Sequence, residues 1–231
     1  MSFIYSVHRL PSDSPDLAFF AGRFSALRLN ALAASPDSFS SNFTIESAIT
    51  PADWIARVSQ PQKHIFLCVA HPPDTPAEQQ TLNRGEWVGK VTLLGPLSKH
   101  SFELPKSGRG DAGPLGAEDD ETRWQMTALY TSAAHRGRGL AKMLIAGAVQ
   151  FASTEGRPEP ARVRIFINPT NGLVKRLYES LGFIIAGTVT LKEAFRQNGD
   201  ASLLPADGGV SDPEKWDTWV GTIMEVLKPG V

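Results

Sequence analysis

The stretch from residue 123 to 183 constrains the fold more than any other part of the chain. It reads "RWQMTALYT" (123–131), a glycine turn within "HRGRG" (135–139), a periodic apolar stretch from about 139 to 153, "ARVRIFI" (161–167), and a second periodic stretch from about 171 to 181. Two short β-branched and aromatic runs separated by a helix of this length predict a strand–helix–strand unit. Such a unit has a right-handed crossover and roughly parallel strands. An α/β architecture follows, and the remaining segments must be arranged around that unit.

Upstream, "SPDLAFFAGRFSALRLNALAA" (14–34) places Leu17, Phe20, Phe24, Leu27 and Ala31 at helical spacing after a Ser-Pro-Asp start. Pro-Ala-Asp opens a further short helix over 51–59, and a polar, aromatic loop (35–47) lies between the two. "HIFLCVA" (64–70) and "EWVGKVTLLG" (86–95) read as strands joined by a long hairpin loop. Downstream, Gly182 in Leu181-Gly182-Phe183 suits the left-handed cap of the second helix. "FIIAGTVTL" (183–191) and "WDTWVGTIMEVL" (216–227) supply two more strands. Gly-, Pro- and charge-rich segments at 71–85, 95–121 and 196–215 read as flexible insertions within a single domain covering 1–231.

The formal net charge of −1 leaves no global field for nucleic acid or an acidic membrane, so any anion binding must be local. Cys68 is the single cysteine and reads as a buried structural thiol. The five histidines show no ligand spacing, so no metal is expected. The N-terminal "MSFIYSVHRLPSD" lacks a targeting pattern and no apolar stretch is long enough to span a bilayer, which makes a cytoplasmic location the expectation. An exposed strand at the C-terminal edge makes a homodimer plausible.

Two constellations carry chemistry. In "HRGRGLAKML" an arginine and two glycines lead into a helix whose first N–H groups lack intrahelical acceptors. Those N–H groups and the helix dipole favour an anion. Gly137 and Gly139 allow positive φ and close backbone approach, Ala141 keeps the first turn open, and Arg136, Arg138 and Lys142 add charge. Gly-x-Gly alone fits equally a helix start with a solvated basic face. The spacing matches neither the Gly-Lys-Ser/Thr phosphate loop nor the three-glycine dinucleotide fingerprint. In "NPTNGLVKRLYESLGF" (168–183), Asn171 and Tyr178 are two helical turns apart and share a face. Taken singly, they also fit an N-cap and a core aromatic.

Together the two blocks resemble the acetyl-coenzyme A site of the GNAT superfamily of N-acetyltransferases. Arg136, Gly139 and Ala141 match its Arg/Gln-x-x-Gly-x-Gly/Ala loop, preceded by Leu129-Tyr130-Thr131. Asn171, Leu177, Tyr178, Gly182 and Phe183 match its second helix. Val174 departs from the commoner alanine. The resemblance is specific over 123–190 and looser over "LNALAASPDSF".

The resemblance implies a central mixed, twisted sheet of about seven strands, flanked by helices and splayed between strands 4 and 5. It implies acetyl-CoA as co-substrate, with its pyrophosphate on the backbone of Gly137, Arg138, Gly139, Leu140, Ala141 and Lys142. Leu129 and Thr131 would bond the pantetheine, and a bulge near Leu129 would aim an N–H at the thioester oxygen. Tyr178 would protonate the leaving thiolate. The acceptor is then a primary amine on a small molecule or peptide, acetylated by direct transfer in a ternary complex. The alternatives are protein lysine or N-terminal acetylation, or a non-catalytic acyl-CoA sensor. Removing a proton from an amine of pKa about 10.4 costs roughly 4.6 kcal/mol at pH 7. Glu121, Glu46 or a water held by Asn168 are the candidates to take it, although either carboxylate also fits a solvated surface position. Phe39, Phe43 and Trp54 are candidates to line the acceptor pocket, with core packing as the alternative.

Overall fold

The computed structural model describes residues 2–36, 39, 41–103, 108, 110, 114–155 and 160–230. Among them, β1 (Ile4–Arg9), β2 (Lys63–His71), β3 (Glu86–Leu94), β4 (Thr122–Thr131), β5 (Ala161–Ile167), β6 (Ile184–Thr190) and β7 (Val220–Lys228) form one sheet. Its order is β1-β2-β3-β4-β5-β7-β6. The helices are α1 (Leu17–Ala34), α2 (Phe43–Ser47), α3 (Pro51–Val58), α4 (Lys99–Phe102), α5 (Leu140–Glu155), α6 (Gly172–Glu179) and α7 (Leu191–Gln197). The mixed α/β class and the parallel pairing of β4 with β5 are those expected. By contact the chain divides into two units, residues 1–93 with 128–148 and residues 94–127 with 149–231.

In the first unit β1 pairs antiparallel with β2, from Ile4 opposite His71 to Arg9 opposite Phe66. The expected apolar stripe of α1 is the one buried. Phe20, Phe24, Leu27 and Ala31 join Trp54 and Val58 of α3 and Ile65, Leu67 and Val69 of β2 in one core. Each large apolar side chain so buried stabilises by about 1.5–3 kcal/mol. Thr50 caps α3 by accepting from Asp53 N, with Pro51 in the first turn. Cys68 is fully buried, and desolvation pushes its thiol up to about 11. The 71–85 segment carries a short 3-10 turn, Ala77–Gln79. It is anchored where Arg23 donates to Leu82 O and Gly85 O and Trp87 Nε1 donates to Leu82 O.

In the second unit the β4–β5 ladder runs from Thr122 opposite Ala161 to Met126 opposite Ile165. It ends there, although β4 itself continues to Thr131. β7 lies between β5 and β6, antiparallel to both, so the last strand in sequence is interior and β6 is the edge. Arg164, fully buried on β5, donates to Gln125 Oε1 (2.7 Å), to Phe102 O (2.6 Å) and to Gln197 Oε1, and lies over the Phe102 ring at 4.0 Å. This one guanidinium ties β4, α4 and α7 to β5.

Four features depart from the sequence reading. β1 was not expected, because its alternation is short. α2 forms inside the 35–47 loop, where Asn42 caps it by accepting from Ile45 N. α7 occupies the end of the expected strand and the start of the expected 196–215 loop, held by a capping box between Thr190 and Glu193. Residues 214–218 form a π turn that buries Trp216 against Phe195 (5.1 Å), so the last strand begins at Val220 rather than at 216.

Candidate functional site

In the first unit, β4 ends where Ser132 N donates to Val88 O (2.7 Å), and a 3-10 turn, Ala133–His135, leads to the glycines. Gly137 (φ 75°) and Gly139 (φ 78°) are left-handed, and a Cβ built on either would meet no atom within 4 Å. The glycines therefore serve backbone conformation and an open approach rather than relief of a clash. α5 begins at Leu140, directly after this open backbone, and the N–H groups at the start of a helix have no intrahelical acceptors. This is the geometry in which a phosphate is held by backbone donors and the helix dipole.

The arginines of the loop do a different job. Arg136 Nε donates to Thr131 O (3.2 Å) and its Nη2 to Ser35 Oγ (3.3 Å). Arg138 Nη1 donates to Tyr5 Oη (2.8 Å). Since arginine only donates, the Tyr5 hydroxyl accepts from it, and the same oxygen lies within hydrogen-bond distance of His135 Nδ1, 3.1 Å away. Tyr5 on β1 and the buried His135 thus brace the glycine loop, a pair hidden from the sequence because β1 itself was not read. Lys142 is exposed on the first turn of α5.

One strand upstream of the cradle, Ala128 has φ 56°. A non-glycine residue in this region costs about 1–2 kcal/mol, which marks an irregularity in β4 immediately before Leu129. It lies next to Leu129, where the family resemblance implied a bulge. Lys90 of β3, only 1% exposed, donates from Nζ to Ala128 O at 3.2 Å. Gly89 beside it is packed so closely that a Cβ there would come within 2.9 Å of Tyr130 O. Burial pushes the Lys90 amine well below the usual lysine range. Arg28, Arg57 and Lys63 push the same way and Glu46 opposes them. The sequence signal for Lys90 was available: a lysine inside "WVGKVTLL", an apolar run too continuous for a strand with a wet face.

The candidate bases are already engaged. Glu46 is fully buried on α2 and accepts from Arg28 Nε at 2.9 Å. Desolvation pushes its carboxyl up, but the hydrogen bonds and charge of Arg28 outweigh that and hold it below the usual range. Arg28 Nη1 is buried without a hydrogen-bond partner among the described residues. In the second unit Glu121 accepts from Arg162 Nη2 (3.0 Å) and from Gly116 N (3.2 Å) and lies 3.2 Å from Arg123 Nε. Neither is the solvated surface carboxylate allowed as an alternative. Asn168 Oδ1 accepts from Thr170 N and Thr170 Oγ1, fixing the turn after β5.

Asn171 is the N-cap of α6, its Oδ1 accepting from Val174 N at 3.1 Å. Tyr178 is 1% exposed, edge-on to Phe183 at 5.1 Å, and burial raises its phenol above the ordinary value, so it is a neutral hydroxyl at pH 7. Gly182 (φ 87°) takes the expected left-handed position, with Phe183 N donating to Tyr178 O. Of the aromatic candidates in the first unit, Phe39 lies beneath the Arg28 guanidinium (4.6 Å) and against Tyr130 (6.2 Å). Trp54 is 5% exposed in the core beside Phe24, and Phe43 is exposed. The structure thus brings Leu129, Tyr130, Thr131 and the 136–142 loop together in the first unit. Asn168, Asn171 and Tyr178 sit together along β5 and α6 in the second.

Comparison with known proteins bears on the family and the fold. The model of the acetyltransferase (GNAT) family matches residues 48–183. Comparison with curated protein sequences gives no match. Among solved structures, a GNAT-family acetyltransferase from Streptococcus pneumoniae is similar at 14% identity and TM-score 0.56, over 97% of this chain and 99% of that one. Ribosomal-protein-S5-alanine acetyltransferase from Vibrio fischeri is similar at 12% identity and TM-score 0.52, over 99% and 97%. Spermidine N-acetyltransferase from Vibrio cholerae, in complex with CoA and spermine, is similar at 12% identity and TM-score 0.51, over 97% and 95%. At these identities the structural likenesses speak for the fold, while the family model covers more than half of the sequence: the chain belongs to the acetyltransferase (GNAT) family.

Proposed function

We propose that the protein transfers an acetyl group from acetyl-CoA to a primary amine of a small molecule or peptide, directly within a ternary complex. The observation that carries this reading is the open, left-handed Gly137/Gly139 loop at the N-terminus of α5, with the irregular β4 residue Ala128 preceding it in the same unit. The loop supplies backbone donors for a pyrophosphate, and Leu129 N–H, next to Ala128, supplies a donor for the thioester oxygen. In the reaction the amine nitrogen forms a bond to the thioester carbonyl carbon, the carbon–sulfur bond breaks, and the thiolate takes a proton. Tyr178 enters by its motif: burial keeps its hydroxyl protonated at pH 7, so a proton is on hand for the departing thiolate, although burial also makes the phenol a weaker acid and the transfer depends on the thiolate being desolvated in the same site.

The proton on the attacking amine is the unassigned part. Glu46 and Glu121 are both held by guanidinium groups, so a water ordered near the site, or deprotonation before binding, fits better than direct abstraction by either. Acceptors in both classes have support. The Vibrio cholerae neighbour bears the name of a polyamine acetyltransferase and the Vibrio fischeri neighbour that of a ribosomal-protein alanine acetyltransferase. The test is CoA release across a panel of polyamines, aminoglycosides, arylamines, amino acids and peptides. Turnover with one class supports the reading and names the acceptor; tight acetyl-CoA binding with no turnover on any would replace it with an acyl-CoA sensor. With the best acceptor, Tyr178→Phe should lower turnover by about 10²-fold and leave acetyl-CoA affinity nearly unchanged.

A further inference from the structure

Lys90 is a buried cation-forming group that makes no ion pair among the described residues. The groups whose charges reach it are Arg28 on α1, Glu46 on α2, Arg57 on α3 and Lys63 on β2. Three of these are cations, and the single carboxylate is already chelated by Arg28. A methionine or leucine would fill the same volume beside the Phe24 ring, which lies 5.2 Å from Nζ, without the cost of burying an amine. What an apolar side chain could not do is donate to Ala128 O.

That carbonyl is not an ordinary strand carbonyl. The left-handed φ of Ala128 turns its peptide away from the regular strand direction, and this half-buried carbonyl takes its donor from the Lys90 side chain. Ala128 C=O and Leu129 N–H also belong to one planar trans peptide, in which the two groups point in opposite directions. Whatever fixes the oxygen therefore fixes the direction of the N–H. We infer that Lys90 is a positioning residue for acyl transfer: by holding Ala128 O, it aims the Leu129 N–H at the carbonyl oxygen of a bound thioester. This rests on the acetyl-CoA reading above and adds to it the group that sets the geometry of the oxyanion donor.

The experiment compares full-length wild type and Lys90→Met by calorimetry with two probes, acetyl-CoA and the thioether S-ethyl-CoA, which lacks the carbonyl oxygen. Wild type should prefer acetyl-CoA by about fivefold, the ratio expected for one net hydrogen bond. In Lys90→Met that ratio should fall to within twofold of unity while S-ethyl-CoA affinity stays unchanged, an effect that a merely structural lysine would not produce. Isotope-edited infrared spectra of bound [13C-carbonyl]acetyl-CoA give a second readout. The carbonyl band should lie at lower frequency in wild type than in the variant. Should Lys90→Met not fold, Lys90→Gln retains a donor on a side chain one bond shorter and should give an intermediate ratio. Undiminished preference in a folded variant, or no preference in wild type, overturns the role of Lys90. Failure of wild type to bind either probe overturns instead the acetyl-CoA reading beneath it.

Discussion

Each of the two units buries a basic side chain in its interior, and they do so in contrasting ways. Arg164 in the second unit has three side-chain or backbone oxygens around its guanidinium and aromatic rings at 4.0 and 5.0 Å. Burial still lowers it to about 10, yet it stays charged at neutral pH and acts as a hub for β4, α4 and α7. Lys90 in the first unit holds one carbonyl, amid other cations. A network that satisfies its donors serves stability; a lone amine spent on one strained peptide serves local geometry. The contrast is between a guanidinium that joins several elements and an amine that fixes a single peptide.

Stability measurements can break that contrast. Arg164→Met strands Gln125, Gln197 and Phe102 O, and urea unfolding should show a loss of about 3 kcal/mol even after the relief of desolvating a cation. Lys90→Met strands one carbonyl but removes a costly buried amine, so the same titration should move by less than about 1 kcal/mol. Equal losses in the two variants would mean that Lys90 is a second structural hub. The smallest effect is a pH dependence. Because the folded-state pKa of Lys90 is lowered, the unfolded chain binds more protons between that value and the ordinary 10.5, so stability gains from this group as pH rises through that window. Below the window both states are protonated and the contribution is flat. Wild type minus Lys90→Met stability should therefore rise with pH toward 10.5; a falling or constant difference would show that the amine is charged and compensated in the fold.

The sequence made the local features readable and hid the non-local ones. The glycine loop, the Gly182 cap and the apolar stripe of α1 each announce themselves within a few residues, because their physics is backbone conformation or helical periodicity. Asn42 as a cap and the Thr190–Glu193 capping box were equally local, and the helices they start were overlooked amid polar, turn-like surroundings. The Lys90–Ala128 bond joins residues 38 apart, and nothing in an alanine signals a left-handed φ. Similarly, Tyr5 could be assigned to the cradle only once β1 was seen to run beside β2. Glu46 and Glu121 were legible as carboxylates but not as partners of Arg28 and Arg162, since ion pairing across elements has no signature in a single sequence.

The central claim is that the 137–142 backbone holds the anionic end of acetyl-CoA, and Gly139→Glu tests it most directly. A Cβ at Gly139 meets no atom within 4 Å, so the variant should fold with only the penalty of a left-handed φ, about 1–2 kcal/mol, while placing a carboxylate where the pyrophosphate would lie. Calorimetry with acetyl-CoA on wild type and on a Gly139→Glu protein of native circular dichroism should show at least a 30-fold loss of affinity. Undiminished affinity in the folded variant would contradict the cradle and the acetyltransferase mechanism built on it.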